Sequence, residues 1–237
     1  MKRGWEGLVV RALGGRDFTL TVLGAEPVTE HYHRLLIDGG GLLDECGVHP
    51  TMWIRLWFSA AGKPHQRAYT LVDPDPATGR FGLEFALHDG CAANWARGAA
   101  PGDTVEASVQ GTGFALPDPA PEHLCLVGDP ASVPAINSIL DTADRIPATV
   151  WLEYAHDTDR DLPLRARAHH EIRWVPRRDD GGHLVDTVTA AAPQAGSAYW
   201  WLACEAGSNR AIVKHLRRDL GVDRHRLSAL AYWSATR

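Results

Sequence analysis

The chain has 237 residues, of which 45% are hydrophobic and 22% charged, and its net charge is −5. This composition is ordinary for a globular protein, and the length allows two domains of roughly 100–130 residues. The charges form no basic stripe, so we expect no nucleic-acid partner. The N-terminal apolar run, Leu8-Val9-Val10, is shorter than the roughly 7 residues of a secretory signal, and no run reaches the ~20 residues of a membrane helix. We therefore expect a cytoplasmic protein without membrane contact.

The first half of the chain is predicted to form short strands separated by turns. Residues with high β-propensity occur in runs that are separated by glycine, proline and aspartate. The predicted strands are Leu8–Leu13, Phe18–Leu23, Tyr32–Asp38, Met52–Ser59, Arg67–Val72, Phe81–His88 and Thr104–Val109. One short helical stretch, Ala92–Ala96, interrupts them. Strands at this spacing predict an antiparallel β-barrel.

The second half has a different pattern. A proline-rich segment, Leu116–Pro121, predicts a boundary between a domain of residues 1–117 and one of residues 118–237. Beyond it, predicted strands alternate with predicted helices, in the order His123–Gly128, Ala131–Ala143 (helix), Thr149–Ala155, His170–Val175, Leu184–Ala192 (helix), Tyr199–Cys204, Asn209–Leu220 (helix) and Leu227–Trp233. This alternation predicts an α/β domain with a doubly wound parallel sheet.

The segment Arg67-Ala68-Tyr69-Thr70 has the residue types that a flavin dinucleotide requires. In a strand, Arg67 and Tyr69 share one face and Thr70 lies at the strand end beside them. A cation suits the pyrophosphate, an aromatic plane suits the flavin ring, and a hydroxyl can bond near the reactive ring nitrogen. Taken alone, the pattern also fits an ordinary strand with a surface arginine and a half-buried tyrosine.

Four landmarks in order give the segment its context. They are Arg67-Ala68-Tyr69-Thr70; the strand Leu83–Gly90 with Ala92-Ala93-Asn94-Trp95-Ala96 and Pro101-Gly102-Asp103; Leu126–Ile136; and Ala203-Cys204-Glu205-Ala206 with Ala231-Tyr232-Trp233-Ser234. Over nearly its whole length the chain therefore resembles the siderophore-interacting protein family. These are FAD-dependent ferric-siderophore reductases of the ferredoxin-reductase-like superfamily. The resemblance implies an FAD-binding β-barrel domain followed by an NAD(P)H-binding-like α/β domain.

The resemblance also implies roles for individual residues around the flavin. Arg67 would contact the FAD phosphates, Tyr69 would pack on the isoalloxazine, and Thr70 would bond near its redox-active edge. His88 would lie beside the flavin. The alternative is that His88 only stabilises the turn in which it lies. The backbone at Ala92, Ala93 and Trp95 would hold the pyrophosphate, in agreement with the preference of helix N-termini for anions. For Trp95 a purely packing role is the alternative.

On the second domain, the resemblance places Asp129, Ser132 and Glu205 on the nicotinamide side, with NADPH or NADH as the electron donor. Two departures weaken this expectation. Pro130-Ala131-Ser132 replaces a typical Glu-Thr-Ala and so removes polar groups from an edge where ligands bind. Cys204 replaces a glycine where a ligand needs close backbone approach.

The substrate side has few cations. Arg55 and Trp233 are the residues implied for the substrate, which would be a ferric siderophore or another small molecule. Gly111-Thr112-Gly113-Phe114 lacks the arginine usual in the family, and so does Ser234 after Trp233. A site with so few cations is poorly suited to binding an anionic chelate.

Three functions remain open from the sequence. The first is an FAD-dependent reductase, in which the flavin carries the chemistry without a catalytic side chain. The second is a repurposed family member that catalyses a redox-neutral or biosynthetic reaction on an apolar small molecule. The third is a ligand-binding carrier or sensor. We expect a monomer. We expect no metal site, because the widely spaced cysteines and the histidine pairs, such as His169-His170, lack further ligands nearby.

Overall fold

The computed structural model describes residues 16–60, 62–109, 113–191 and 198–235. The predicted strand Leu8–Leu13, the residues Gly111 and Thr112 and the last residue of the predicted helix Leu184–Ala192 lie outside the described residues. The chain divides into two compact units, Met1–Phe114 and Ala115–Arg237. The division falls just before the proline-rich segment from which the boundary was predicted.

In the first unit, six described strands close into an antiparallel barrel in the order β1-β2-β5-β4-β3-β6. The strands are β1 (Arg16–Thr29), β2 (Tyr32–Asp38), β3 (Trp53–Ala60), β4 (Lys63–Asp75), β5 (Arg80–Ala86) and β6 (Thr104–Val109). Alternate side chains fill the barrel, and Leu20, Leu35, Ile54, Leu56 and Leu83 are fully buried there. The predicted antiparallel barrel is confirmed.

Two helices accompany the barrel strands. Helix α2 (Cys91–Gly98) extends the predicted stretch Ala92–Ala96 at both ends, whereas α1 (Leu42–Cys46) was not predicted. Five residues are too few to show a helical period in the sequence. Leu42 and Leu43 nevertheless pack into the barrel core, so α1 belongs to that core.

Two barrel strands are longer than predicted. β1 continues to Thr29 and β4 begins at Lys63, because residues that resemble turn formers remain paired with the neighbouring strand. Gly24, for example, pairs with Leu36, and Pro64 pairs with Ser59. β1 accommodates its length with irregularities in its pairing to β2 on both sides of this stretch.

In the second unit, five described strands form a parallel sheet in the order β11-β10-β7-β8-β9. The elements are β7 (His123–Gly128), α3 (Val133–Thr142), β8 (Ala148–Tyr154), β9 (His170–Pro176), α4 (Gly182–Ala191), β10 (Ala198–Ala203), α5 (Ala206–Arg218) and β11 (Leu227–Ala229). The predicted doubly wound α/β arrangement is confirmed. The strand order reverses between β7 and β10, which is where such sheets bind ligands at the carboxyl ends of their strands.

The elements of this unit differ from prediction near their ends. Helix α5 begins at Ala206 rather than Asn209, because the Glu205 side chain caps it earlier. The predicted strand Leu227–Trp233 is a strand only over Leu227–Ala229, and the rest of it follows as isolated contacts, including a bridge between Glu205 and Trp233. None of the described helices is long and apolar enough to cross a membrane.

Candidate functional site

The segment predicted to hold a flavin lies in the middle of β4. Arg67 pairs with Leu56 and Tyr69 pairs with Ile54 across the neighbouring strand, so the two side chains share the face that leads into the barrel core. Tyr69 packs against that core, while Arg67 is exposed. The Arg67 guanidinium donates to the carbonyl of Gln66 at 2.8 Å. The structure therefore presents a cation and an aromatic ring side by side, as the strand alternation predicts.

The Tyr69 ring is part of an aromatic cluster at the side of α2. Its centroid lies 4.3 Å from that of Phe85, and Phe85 in turn lies 6.1 Å from Trp95. Trp95 also contacts Phe58 at 5.6 Å. Burial raises the pKa of the Tyr69 phenol well above its ordinary value, so the ring is neutral. These contacts give Trp95 a packing role, and its predicted contact with a flavin stays a prediction.

Thr70 lies inside β4 and on its opposite, outer face, so the expectation that it stands at the strand end beside Arg67 and Tyr69 is wrong. It is buried and pairs with Trp53 of β3. On the same face Arg55 pairs with Ala68, and its guanidinium lies 4.9 Å from the centre of the Trp53 ring. The predicted substrate residue Arg55 is thus a near neighbour of the predicted flavin residue Thr70.

Helix α2 begins with backbone N–H groups that have no hydrogen-bond partner within the described part of the chain. Its N-cap is Gly90, which has no side chain to cap the helix, and the first intrahelical hydrogen bond runs from Asn94 N to Gly90 O at 2.8 Å. The three preceding N–H groups, of Cys91, Ala92 and Ala93, therefore come before the helical ladder. Ala92 and Ala93 are buried residues whose side chains have no polar atom, so only their backbone could form a hydrogen bond with a ligand.

His88 lies directly against the start of α2. A Cβ atom added to Gly90 would stand only 2.4 Å from Cε1 of the exposed His88 ring, so the two residues are in close contact. Arg97 fixes the turn by donating to the His88 carbonyl at 3.1 Å and to Asn94 Oδ1 at 2.7 Å. The structure thus brings the imidazole to the same helix start as the free N–H groups.

The predicted nicotinamide-side residues lie at the carboxyl edge of the parallel sheet, where they bond to one another. Asp129 and Ser132 form a reciprocal cap, in which Asp129 N donates to Ser132 Oγ and that hydroxyl donates to the Asp129 carbonyl, both at 2.9 Å. Ala131 N donates to Asp129 Oδ1 at 2.9 Å. Asp129 is 4% exposed and Ser132 is fully buried. The polar groups of both residues are thus occupied in capping the turn that leads into α3.

Trp233 covers this cap. Its indole Nε1 donates to Asp129 Oδ2 at 2.7 Å, and the Arg177 guanidinium lies 5.0 Å from the indole ring centre. Arg177 also forms a short ion pair with the buried Glu153. Trp233, predicted as a substrate residue, is therefore held within the second unit by a carboxylate and a cation. Its contact with a substrate stays a prediction.

Glu205 joins α5 to the end of the described chain. Its carboxylate accepts from the N–H groups of Gly207 and Ser208 at the start of α5, and from Ala235 N at 3.3 Å. Cys204, beside it, is fully buried, and burial raises the pKa of its thiol. Side-chain bulk therefore fills the position at which a glycine was expected.

Burial and crowding of carboxylates control the electrostatics of this edge. Burial raises the pKa of Asp129 to about 6, with the Trp233 hydrogen bond opposing the shift. Burial also raises the pKa of Glu153, against the influence of Arg177. Neither Glu153 nor Arg177 was predicted. The position of Glu153 at the end of a buried strand is the signal that points to such an edge.

The chain matches two family profiles. Residues 20–109 match the siderophore-interacting FAD-binding domain, and residues 121–236 match the siderophore-interacting protein domain. The first match covers most of the barrel, and the second covers the parallel sheet with its helices.

Curated relatives agree with these matches. The chain is 36% identical over 247 residues to the mycobactin import ATP-binding/permease protein IrtA of Mycolicibacterium thermoresistibile, and 34% identical over 245 residues to IrtA of Mycobacterium tuberculosis. Both alignments cover 100% of this chain but only 27% and 28% of the relatives, so the chain spans about a quarter of their length. The ferric acinetobactin reductase of Acinetobacter baumannii is 25% identical over 191 residues, which cover 78% of this chain and 66% of that protein.

Solved structures share the fold. The siderophore-interacting protein SipS from Aeromonas hydrophila superposes with a TM-score of 0.81 at 24% identity, covering 94% of this chain and 93% of SipS. A ferredoxin NADP+ reductase from Neisseria gonorrhoeae, solved with bound FAD and NADP, gives a TM-score of 0.66 at 16% identity, covering 91% and 98%. The fold is ferredoxin-reductase-like, and the two family profiles together span most of the chain. The chain therefore belongs to the siderophore-interacting protein family.

Proposed function

We propose that the protein binds FAD on its barrel and passes electrons from a reduced nicotinamide nucleotide to an acceptor such as siderophore-bound iron(III). The observation that carries the proposal is the arrangement of two elements of one unit. The uncapped start of α2 offers backbone N–H groups, and β4 offers Arg67 and Tyr69 on a single face. The match of residues 20–109 to an FAD-binding domain supports it.

The residues fit the cofactor on physical grounds. A pyrophosphate requires N–H donors and a cation, which the start of α2 and the exposed Arg67 supply. Gly90 has no side chain that could occupy those donors, and a Cβ atom there would clash with the His88 ring as it is placed. A flavin ring requires a flat neutral surface, which Tyr69 provides because Phe85 supports it from within the barrel.

Each residue then has a defined task. Arg67 and the N–H groups of α2 bind the phosphates, while Tyr69 orients the flavin plane. Thr70, whose side chain lies on the face of β4 opposite to Tyr69, would be the hydrogen-bonding residue for the reactive edge of the ring. When bound, FAD supplies the capacity to accept a hydride and to release electrons singly, so no side chain has to transfer a proton as catalyst.

The electron acceptor is proposed to bind beside Arg55. Arg55 is partly exposed, it is two residues from Trp53, and Trp53 pairs with Thr70. A cation and an aromatic face so close to the proposed flavin edge suit an anionic or catechol-type iron chelate. The names of the relatives, which refer to mycobactin import and ferric acinetobactin reduction, support a ferric siderophore as the substrate class.

The electron donor is proposed to be NADPH or NADH at the carboxyl edge of the parallel sheet. Asp129, Ser132 and Glu205 are there, but their side chains bond within the unit. A dinucleotide reaching the crevice between β7 and β10 would therefore have to displace Trp233 from Asp129.

The test begins with the visible spectrum of the purified chain before and after FAD titration. We expect a stoichiometric flavin complex that is bleached anaerobically by NADPH or NADH and is reoxidised by ferric mycobactin or ferric acinetobactin. A chain that remains colourless and does not quench FAD fluorescence would refute the proposal.

A second candidate is favoured by the filled sheet edge. If Trp233 keeps nicotinamide out, the barrel still binds FAD but catalyses a redox-neutral or biosynthetic reaction on a less polar small molecule. The same experiment separates the two candidates. A flavin complex that neither nucleotide bleaches, but that dithionite does, favours the second candidate.

A further inference from the structure

A buried ion pair lies on the outer face of the barrel. The carboxylate of Glu84 on β5 accepts hydrogen bonds from the Tyr32 hydroxyl at 2.9 Å and from Arg34 Nε at 2.9 Å. A second, shorter contact runs from Arg34 Nη2 to the same Glu84 oxygen. The Glu84 side chain is 2% exposed, whereas that of Arg34 is 32% exposed. A charged carboxylate is thus kept in the wall of the barrel by two donors on the neighbouring strand β2.

The strand register places this ion pair beside Thr70. Leu71 of β4 pairs with Leu83 of β5, and both point into the barrel. Their neighbours Thr70 and Glu84 therefore lie next to each other on the outer face, where directly opposed Cβ atoms stand about 5 Å apart. The contact between Tyr69 and Phe85 on the inner face confirms that the register continues through these residues.

We infer that Glu84 and Arg34 form a positioning and charge-balancing pair that sets the reduction potential of the FAD proposed to bind at Thr70. The inference rests on the proposed function. Glu84 does not touch the flavin in this scheme. It acts on the flavin through its charge.

The sign of the effect follows from the charge that reduction adds. A reduced flavin carries more negative charge than an oxidised one, so a nearby carboxylate disfavours reduction and a nearby guanidinium favours it. In the intact pair the two influences oppose each other. Removing Arg34 leaves the Glu84 carboxylate uncompensated in a buried region, where screening is weak. Removing Glu84 leaves Arg34 without its buried counter-charge, opposed among the described residues only by the carboxylates of Glu26 and Asp73.

Other charges face the pair and define the controls. Glu26 lies 3.9 Å from Arg34, but its side chain is 66% exposed. Asp73 also interacts with Arg34 electrostatically. Water and salt screen an exposed carboxylate such as Glu26, so its charge contributes little at the flavin.

The test is the midpoint potential of the bound FAD at pH 8 in matched variants. We expect Glu84→Gln to favour reduction by tenfold or more, which is a rise of about 30 mV for a two-electron couple. Arg34→Gln should lower the potential by a comparable factor. Arg34→Lys, which keeps the charge, and Glu26→Gln, which removes an exposed carboxylate, should leave it within twofold of the parent.

The outcomes separate this inference from the proposed function. A parent protein that binds no FAD refutes both. A parent that binds FAD, with Glu84→Gln and Arg34→Gln leaving the potential unchanged or shifting it in one common direction, overturns the inference alone. Thermal unfolding would show whether Glu84→Gln folds. If it does not, the difference in midpoint potential between Arg34→Gln and Arg34→Lys tests the inference without it. A purely structural role would lower the melting temperature without shifts of opposite sign.

Discussion

The barrel face and the sheet edge use similar chemical groups in opposite ways. At the barrel, Arg67 is exposed, and the first N–H groups of α2 have no side chain from Gly90 to cap them. At the sheet edge, the Asp129 carboxylate caps its own helical turn and accepts from Trp233. Glu205 likewise caps α5. The sheet edge satisfies its carboxylates internally, whereas the barrel face leaves Arg67 exposed and the start of α2 without a side-chain cap.

The difference separates two requirements that the family resemblance joins. A cofactor that stays bound needs a permanently open cradle, which the barrel provides. A nucleotide that must arrive and depart needs access to the sheet edge proposed to bind it, and Trp233 covers Asp129 at that edge. Flavin binding and nicotinamide use should therefore respond to different substitutions, and the following predictions test the two regions separately.

The largest effect concerns the pH dependence of stability at the closed edge. Burial raises the pKa of Asp129 to about 6, above the ~3.9 of an unfolded aspartate. Between these values the folded state binds a proton that the unfolded chain has released. The resulting stabilisation is complete below about pH 4 and is lost as the pH rises through 6, for a total of about 3 kcal/mol.

The measurement is urea unfolding from pH 4 to pH 7 for the parent and for Asp129→Asn, which cannot titrate. Glu153, whose pKa is also raised, contributes with the same sign in both proteins, so the difference between the curves isolates Asp129. Parallel curves would show that Asp129 titrates normally and that the edge is more open to water than the structure shows.

The next effect concerns the open barrel face. Arg67→Ala should weaken FAD binding by about 30-fold, since a hydrogen-bonded charge contributes about 2 kcal/mol. Arg210→Ala, which removes an exposed arginine from α5 in the second unit, is the matched control and should leave the affinity unchanged. Equal affinities of the two variants, measured by fluorescence titration, would remove Arg67 from the site.

The smallest effect tests how firmly Trp233 closes the edge. Trp233→Phe keeps an aromatic ring but removes the donor to Asp129, so we expect the free energy of unfolding at pH 7 to fall by about 1.5 kcal/mol. Trp174→Phe on the edge strand β9 is the control, because its ring makes an edge contact with Tyr154. A loss no larger than that of the control would show that the indole covers the edge without stabilising it.

Sequence patterns predicted the architecture well because the two halves have different periods. Alternating strands and turn clusters indicated the barrel, and strand–helix alternation indicated the parallel sheet. Helix α1 was missed because five residues show no period, and the end of the chain was extended too far as a strand. Leu230 and Tyr232 donate to the carbonyls of Leu202 and Cys204, but the regular strand stops at Ala229.

The sequence predicted some contacts of the site residues and gave no sign of others. Strand alternation alone places Arg67 and Tyr69 on one face. The Trp233–Asp129 bond joins residues 104 positions apart, and no local pattern signals it. Glu84 was noted only as part of a motif strand, because its partners Tyr32 and Arg34 become neighbours through strand pairing that the sequence does not display.

Glu205 has a consequence for the dynamics of the closed edge. One carboxylate accepts from amides at the start of α5 and from Ala235 in the C-terminal segment, while Trp233 O accepts from Ala206 N at 2.9 Å. Neither segment can move away without removing partners from the other. We therefore expect local unfolding at this edge to be cooperative, with the helix start and the C-terminal segment exchanging their amide hydrogens as one unit.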